Sequence, residues 1–301
     1  MRLAPAIRQV LDRHDLLLSI GGDLFTMSLP SPVEPVQRGM QIVHLDIDPW
    51  ELGKNFSTSV AILGDAKASL PELTAAMHRL MSPAERERAR ARFDAVKVAT
   101  LEERAALRRR AEAEAGAMPV RPLALLQALG DLLPKDAVVV EEALSSGTGL
   151  RQFIRSDDEQ SFFGLRGGGI GWALPAAIGV KLALPSRPVV ALIGDGSAMY
   201  TVQALWTAAH RKIAVVFVIL NNASYRILKQ RTQALRGHAE QTGRFVGMEL
   251  TDPAIDFVGL GRSLGMAAGR ARTVAEACDL VRAGLASDAP SLVEVEIERS
   301  L

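Results

Sequence analysis

Ile193-Gly194-Asp195-Gly196-Ser197 closes an apolar run, Pro188 to Ile193, with a glycine turn that carries an acid. The run reads as a β-strand. A helix-like segment, Ala198 to Arg211, leads to a second apolar run, Ile213 to Leu220, which ends on Asn221-Asn222. In an open parallel sheet both strand ends lie at the same carboxyl edge, where such sheets hold their ligands. Asp195 and Asn222 are therefore expected to face one point in space. A carboxylate, an amide oxygen and a neighbouring backbone carbonyl make a hard oxygen set. Mg2+ accepts such a set while keeping water and phosphate oxygens in its shell. Gly194 and Gly196 let backbone N–H groups approach a phosphate, and the helix that follows offers its positive end.

Two other stretches bear on the same edge. Ser145-Ser146-Gly147 follows a strand, Ala137 to Glu141, and opens a segment read as a helix to Ile154. Small hydroxyl residues at such a junction cap the helix, bind phosphate, or do both. Gly167-Gly168-Gly169-Ile170-Gly171 then runs into Trp172-Ala173-Leu174-Pro175-Ala176-Ala177. Alone, this is either a flexible loop before a close-packed helix or backbone that must pass near a ligand.

Gly-Asp-Gly followed at this interval by Asn-Asn, in a strand–helix–strand context, resembles the signature of thiamine-diphosphate enzymes. The run from Gly168 to Leu228 is especially similar to the benzoylformate decarboxylases, through Ala173 to Gly179 and Ala204-Leu205-Trp206-Thr207-Ala208-Ala209. The resemblance implies thiamine diphosphate and Mg2+ as cofactors, with Asp195, Asn222 and the Ser224 carbonyl as metal ligands. It implies that Ser145, Gly194, Gly196, Ser197, Ala198, Tyr200 and Tyr225 surround the diphosphate. Gly168 would accept the 4′-amino group through its carbonyl, and Ile170 would sit beneath the cofactor and hold its two rings in a V. Ile227 and Arg231 fall where relatives line the substrate pocket. For each tyrosine an ordinary half-buried aromatic is the equal alternative, and for Arg231 an exposed helix arginine is.

The N-terminal region alternates helix and strand: Pro5 to His14, Leu16 to Ile20, Gln41 to Ile47, Val60 to Leu63 and Ser69 to Met81. That order implies a parallel sheet. His44 to Lys54, with its Asp-Ile-Asp-Pro core, is similar to the middle domain of acetolactate-synthase-like thiamine enzymes. Gly21-Gly22-Asp23 lacks the G-x-G-x-x-G pattern and reads better as a tight turn than as a phosphate loop. Asp46 and Asp48 either hold a ribose or end a strand. Between Ser82 and Gly116 opposite charges recur at helical spacing with few apolar residues, as in a solvated connecting helix. Beyond Asn222 the chain continues as a helix; Gln233 to Thr251 reads as a mobile lid. Asp256 to Leu264 and Thr273 to Ala286 read as helices, the second with a capping box at Thr273 and Glu276. Ser291 to Ile297 reads as a closing strand near the sheet edge.

The expected fold class is α/β: a doubly wound parallel sheet (thiamine diphosphate-binding fold) preceded by an incomplete Rossmann-like middle domain. The expected division is residues 1–81 partial middle domain, 82–118 charged helical linker and 119–301 diphosphate-binding domain. Lys and Arg total 35 against 34 Asp and Glu, a formal net charge of +1, which speaks against a nucleic-acid or membrane partner. The lone cysteine, Cys278, excludes an intramolecular disulfide framework and fits a cytoplasmic protein.

By resemblance the function is the thiamine-diphosphate- and Mg2+-binding part of a 2-keto acid decarboxylase or carboligase, acting as a homo-oligomer. The glutamate that activates the cofactor in the family resides in a pyrimidine-binding domain with no counterpart in this sequence, so no catalytic residue is assigned. Glu141 and Glu142 end a strand of the diphosphate-binding domain and do not replace it. A pyrimidine-domain chain or a preceding segment is expected as partner, with truncation ranked before a split enzyme. The alternative is a non-catalytic cofactor-binding module or an inactive fragment.

Overall fold

The computed structural model describes residues 3–27, 29–154 and 156–301. The chain divides into one compact unit up to Lys97 and a second from Val98 to Leu301.

In the first unit, helix α1 (Ala4–Leu11) precedes β1 (Leu16–Ile20), β2 (Gln41–Asp46) and β3 (Val60–Leu63). The strands pair in parallel in the order β1-β2-β3. Central β2 buries Ile42, His44, Leu45 and Asp46. Helix α2 (Ala66–Leu80) is capped by Asp65, whose carboxylate accepts the Ala68 N–H at 2.9 Å and satisfies a free first-turn donor. Helix α3 (Pro83–Ala113) carries the charged stretch, with Ala111 its one buried residue, and the boundary between the units falls inside it.

The second unit winds α4 (Pro122–Leu132), β4 (Val138–Glu142), α5 (Leu150–Phe153), β5 (Phe162–Gly164), α6 (Ala173–Ala183) and β6 (Val189–Gly194). It continues through α7 (Asp195–Ala198), α8 (Ala204–His210), β7 (Val216–Asn221), α9 (Arg226–Ala234) and α10 (His238–Thr242). It closes with α11 (Phe257–Ser263), β8 (Ala267–Ala271), α12 (Val274–Leu285) and β9 (Ser291–Glu296). The strands form one six-stranded parallel sheet in the order β5-β4-β6-β7-β9-β8. Both faces are covered, so the central strands are apolar throughout instead of alternating. Val189, Ala191 and Ile193 pack with Leu174, Leu205 and Phe257 on one face, while Val190 and Leu192 pack with Leu125, Leu129 and Val281 on the other. Each of the Val, Leu, Ile and Phe side chains among them, fully buried, contributes roughly 1.5–3 kcal/mol. After β4 the chain moves outward to β5 and returns to place β6 on the opposite side of β4. The direction reverses there, and an α/β sheet binds its ligands at such a switch point.

The structure departs from the sequence reading in several places. The helix expected over Ser145 to Ile154 is only α5, because Gly149 at φ +93° interrupts it. The segment expected as one helix from Ala198 to Arg211 is split: residues 199–203 form tight turns, with Tyr200 N–H bonded to Ser197 O and Thr201 N–H to Ala198 O. Thr201 instead uses its hydroxyl to reach the Gly171 carbonyl at 2.6 Å. Strands β5 and β8 were not expected; β9 lies near the edge as expected, with β8 outside it. The stretch read as a lid contains α10, and its end is pinned by an antiparallel bridge between Ser224 and Glu249. Among the described residues no helix is long and apolar enough to cross a membrane.

Candidate cofactor site at the switch point

The parallel register sets Gly194 beside Leu220, so Asp195 and Asn222 leave adjacent strands at the same edge. Asp195 is 2 % exposed, Asn222 3 % and Ser224 4 %. The Ser224 N–H ties them together, donating to Asp195 Oδ2 at 3.2 Å and to Asn222 Oδ1 at 3.1 Å. The Ser224 hydroxyl donates to the same Asn222 oxygen at 2.9 Å. Asn221 has a different task. Its Oδ1 accepts the Ala223 N–H at 2.9 Å, and its Nδ2 donates to Glu294 at 2.7 Å. Ala223 takes φ +53°, a conformation rare for a side-chain-bearing residue and supported here by the amides on either side of it.

Burial pushes the Asp195 carboxyl up to about 6, against the opposing pull of backbone N–H groups from Gly196, Ser224 and Ala223. Among the described residues no cation forms an ion pair with this carboxylate, which gains from a cation beside it. Among the described residues no cluster of three or more His, Cys, Asp or Glu side chains forms. The oxygens gathered at this edge are one carboxylate with neutral groups, a kind of set that suits a hard dication keeping ligand and water oxygens. The residues fit the metal their pattern implies.

Gly196 sits under the Tyr225 ring: a Cβ there would lie 2.5 Å from Cε1. Ser197 and Ala198 are buried in α7 beside it, and Gly194 is half-buried at the end of β6. Tyr225 is half-buried, and Tyr200 is 59 % exposed. Desolvation first, then Tyr200 and Asp195, raise the Tyr225 hydroxyl above its ordinary value.

The glycine run is anchored by a residue the sequence reading set aside. Glu142 is fully buried, and its two carboxylate oxygens accept the Gly171 N–H at 2.5 Å and the Ala173 N–H at 2.6 Å. The second bond caps α6 with a negative charge at its positive end. Gly171 has φ +94° and its Cα faces Tyr200, where a Cβ would come within 2.6 Å of the tyrosine Cβ. Ile170, next in the chain, is half-buried; Gly168 lies in an exposed turn at φ +79° with open space around it. Glu141 turns back to the Ala143 N–H at 2.7 Å, and burial raises its carboxyl.

Ser145 is half-buried in the turn after β4, and Arg226 reaches across from the start of α9 to bond it. Neither the role of Glu142 nor that of Arg226 was read from the sequence. The one available signal was a pair of acids at the end of an otherwise apolar strand. Further along α9, Ile227 and Arg231 are half-buried, and the Arg231 Nε has no hydrogen-bond partner.

Residues 145–295 match the family described as thiamine pyrophosphate enzyme, C-terminal TPP binding domain, and residues 1–73 match its central domain. The chain belongs to the thiamine pyrophosphate enzymes. Thiamine diphosphate, with a divalent metal, is accordingly the cofactor of this fold. Benzoylformate decarboxylase of Pseudomonas aeruginosa is 34 % identical over 289 residues, covering 96 % of this chain and 50 % of that protein. Acetolactate synthase of Mycobacterium bovis is 29 % identical over 288 residues, covering 94 % of this chain and 45 % of that protein. The chain spans about half the length of the curated relatives it matches. Among solved structures, the thiamine diphosphate-dependent 4-hydroxybenzoylformate decarboxylase of Rhodococcus jostii superposes with a TM-score of 0.75 at 27 % identity, covering 97 % of this chain and 51 % of that one. Benzoylformate decarboxylase from Polynucleobacter necessarius gives 0.77 at 27 % identity, with 98 % and 51 % covered.

Proposed function

We propose that this chain is the diphosphate- and Mg2+-binding part of a thiamine-diphosphate-dependent enzyme that decarboxylates or ligates 2-keto acids. The observation that carries the reading is the single Ser224 N–H shared by Asp195 and Asn222 at the switch point. In this reading Asp195, Asn222 and the Ser224 carbonyl hold Mg2+. Backbone N–H groups of Gly196, Ser197 and Ala198 receive the diphosphate, with Ser145, Tyr200 and Tyr225 beside it. The Gly168 carbonyl and the Ile170 side chain receive the pyrimidine end, on a loop that Glu142 fixes through Gly171. The bound cofactor supplies the carbon nucleophile and electron sink that cleavage beside a keto group requires. Arg231, half-buried with an unsatisfied Nε, is assigned to the substrate carboxylate, and Ile227 to the apolar wall next to it.

The glutamates nearest the site are already engaged. Glu142 accepts two backbone N–H groups and Glu141 accepts one. The carboxylate that activates the cofactor is therefore assigned to a pyrimidine-binding partner, and the working protein to a cytoplasmic homo-oligomer. Residues 1–81 are assigned to the middle domain, 82–118 as a linker and 119–301 as the cofactor domain.

Proton NMR of thiamine diphosphate with the purified chain tests this. Mg2+-dependent broadening of the cofactor signals, lost in Asp195→Ala, is expected. Exchange of the thiazolium C2 proton into D2O should accelerate only when a pyrimidine-binding domain is supplied. A folded chain that leaves the cofactor spectrum unchanged at millimolar Mg2+ would sink the reading.

A further inference from the structure

Arg226 opens α9, two residues beyond Ser224, with its side chain turned into the protein and 4 % of its surface exposed. Its guanidinium makes four hydrogen bonds, all to neutral groups. One terminal nitrogen donates to the Glu298 carbonyl at 2.9 Å. The other donates to the Ser146 hydroxyl at 2.8 Å and the Ser145 carbonyl at 3.2 Å. Nε donates to the Ser145 hydroxyl at 3.3 Å. No carboxylate of the described residues pairs with it. Nearby arginines are matched, Arg121 with Glu298 and Arg110 with Glu114. A cavity of about 260 Å³ lies beside the guanidinium, lined also by Ser145, Ser146 and Thr148 and by Glu114 and Glu298, the carboxylates already paired with Arg110 and Arg121.

A buried cation without a counter-ion is costly and is kept only where something offsets it. The charge that reaches Arg226 is that of Asp195, the metal carboxylate of the reading above. That carboxylate cancels one of the two charges of a bound dication, leaving one to face the ligand. A diphosphate carries more negative charge than one unit can balance. A fixed guanidinium on the residue two positions beyond Ser224, bonded to Ser145, supplies part of the difference in a low-dielectric setting. Its bonds also join the turn after β4 to the helix after β7, the two sides of the site.

We propose that Arg226 is a positioning residue for the diphosphate through its charge: the bonds to Ser145 and Ser146 hold the guanidinium in place, and it sets a permanent positive charge behind the anion. The proposal rests on the cofactor reading above. It differs from it in naming charge, and not only backbone N–H groups and metal, as a source of diphosphate affinity.

Calorimetric titration with Mg2+ present tests the idea, using thiamine diphosphate and inorganic pyrophosphate as probes on the wild-type chain, Arg226→Lys and Arg226→Gln. Circular dichroism and melting establish that each variant is folded. Arg226→Gln should weaken both probes about tenfold or more, and Arg226→Lys, which keeps the charge, should stay within about threefold of wild type. Equal affinity of wild type and a folded Arg226→Gln overturns the proposal and leaves the cofactor reading standing. Equal weakening by both substitutions also overturns it, because hydrogen bonds alone would then explain the loss. If Arg226→Gln does not fold, Arg226→Lys decides alone: a folded lysine variant that loses tenfold for pyrophosphate refutes the charge role. A wild-type chain that binds neither probe defeats the cofactor reading and this proposal together.

Discussion

Asp195 shows most directly how one residue links stability to function. Its folded value of about 6 lies above the ordinary aspartate value, so the folded protein binds this proton more tightly than the unfolded chain. The sign follows: Asp195 costs nothing below pH ~4, and the cost grows as pH rises toward 6 and persists above it. At neutral pH the metal-free protein carries a penalty of at most about 3 kcal/mol from this group. Asp195→Asn is therefore expected to raise the melting temperature of the metal-free protein at pH 7.5 by several degrees and to do little at pH 4. The same substitution should remove the Mg2+ dependence of cofactor binding. Melting curves at the two pH values in chelator check the first part; an unchanged melting temperature at pH 7.5 would mean that the backbone N–H groups already stabilise the anion fully.

Single elements carry devices that the sequence announced and others that it hid. The capping box of α12 was legible, and both of its bonds are present: Glu276 N–H to Thr273 Oγ1 at 3.2 Å and Thr273 N–H to Glu276 Oε2 at 3.3 Å. Thr273→Ala is expected to cost about 1 kcal/mol, read from denaturant midpoints at unchanged slope. Asp195 and Asn222 were legible for a topological reason, since parallel pairing delivers both strand ends to one edge whatever the side chains do. The edge strands were not. Ala267–Ala271 has no β-branched or aromatic residue, and Phe162–Gly164 is too short to show a period; neighbours β9 and β4 impose both. Glu142 and Arg226 were hidden because their partners are remote in sequence. Glu142 bonds Gly171 and Ala173, and Arg226 bonds Ser145 and Ser146, contacts that no local pattern encodes.

At the scale of the whole molecule, the cofactor residues assigned above all fall in the second unit, Val98–Leu301. That unit buries apolar layers on both faces of its sheet. The first unit has a three-stranded sheet whose β1 leaves Leu16, Leu18 and Ile20 at least 40 % exposed, with Leu63 of β3 at 62 %. Less apolar area is removed from water per residue there, so the unit is expected to melt first. A ligand that binds only the second unit stabilises that unit by mass action. With Mg2+ and thiamine diphosphate at a hundred times the dissociation constant, the gain is about 2.7 kcal/mol, or roughly 5–10 °C for a unit of this size. Scanning calorimetry should therefore resolve a lower transition that ignores the ligand and an upper one that moves with it. Hydrogen exchange assigns the transitions, with protection gained at β6, α7 and β7 but not at β1 to β3. If both transitions move together, the two units unfold as one, and cofactor binding in the second sets the stability of the first.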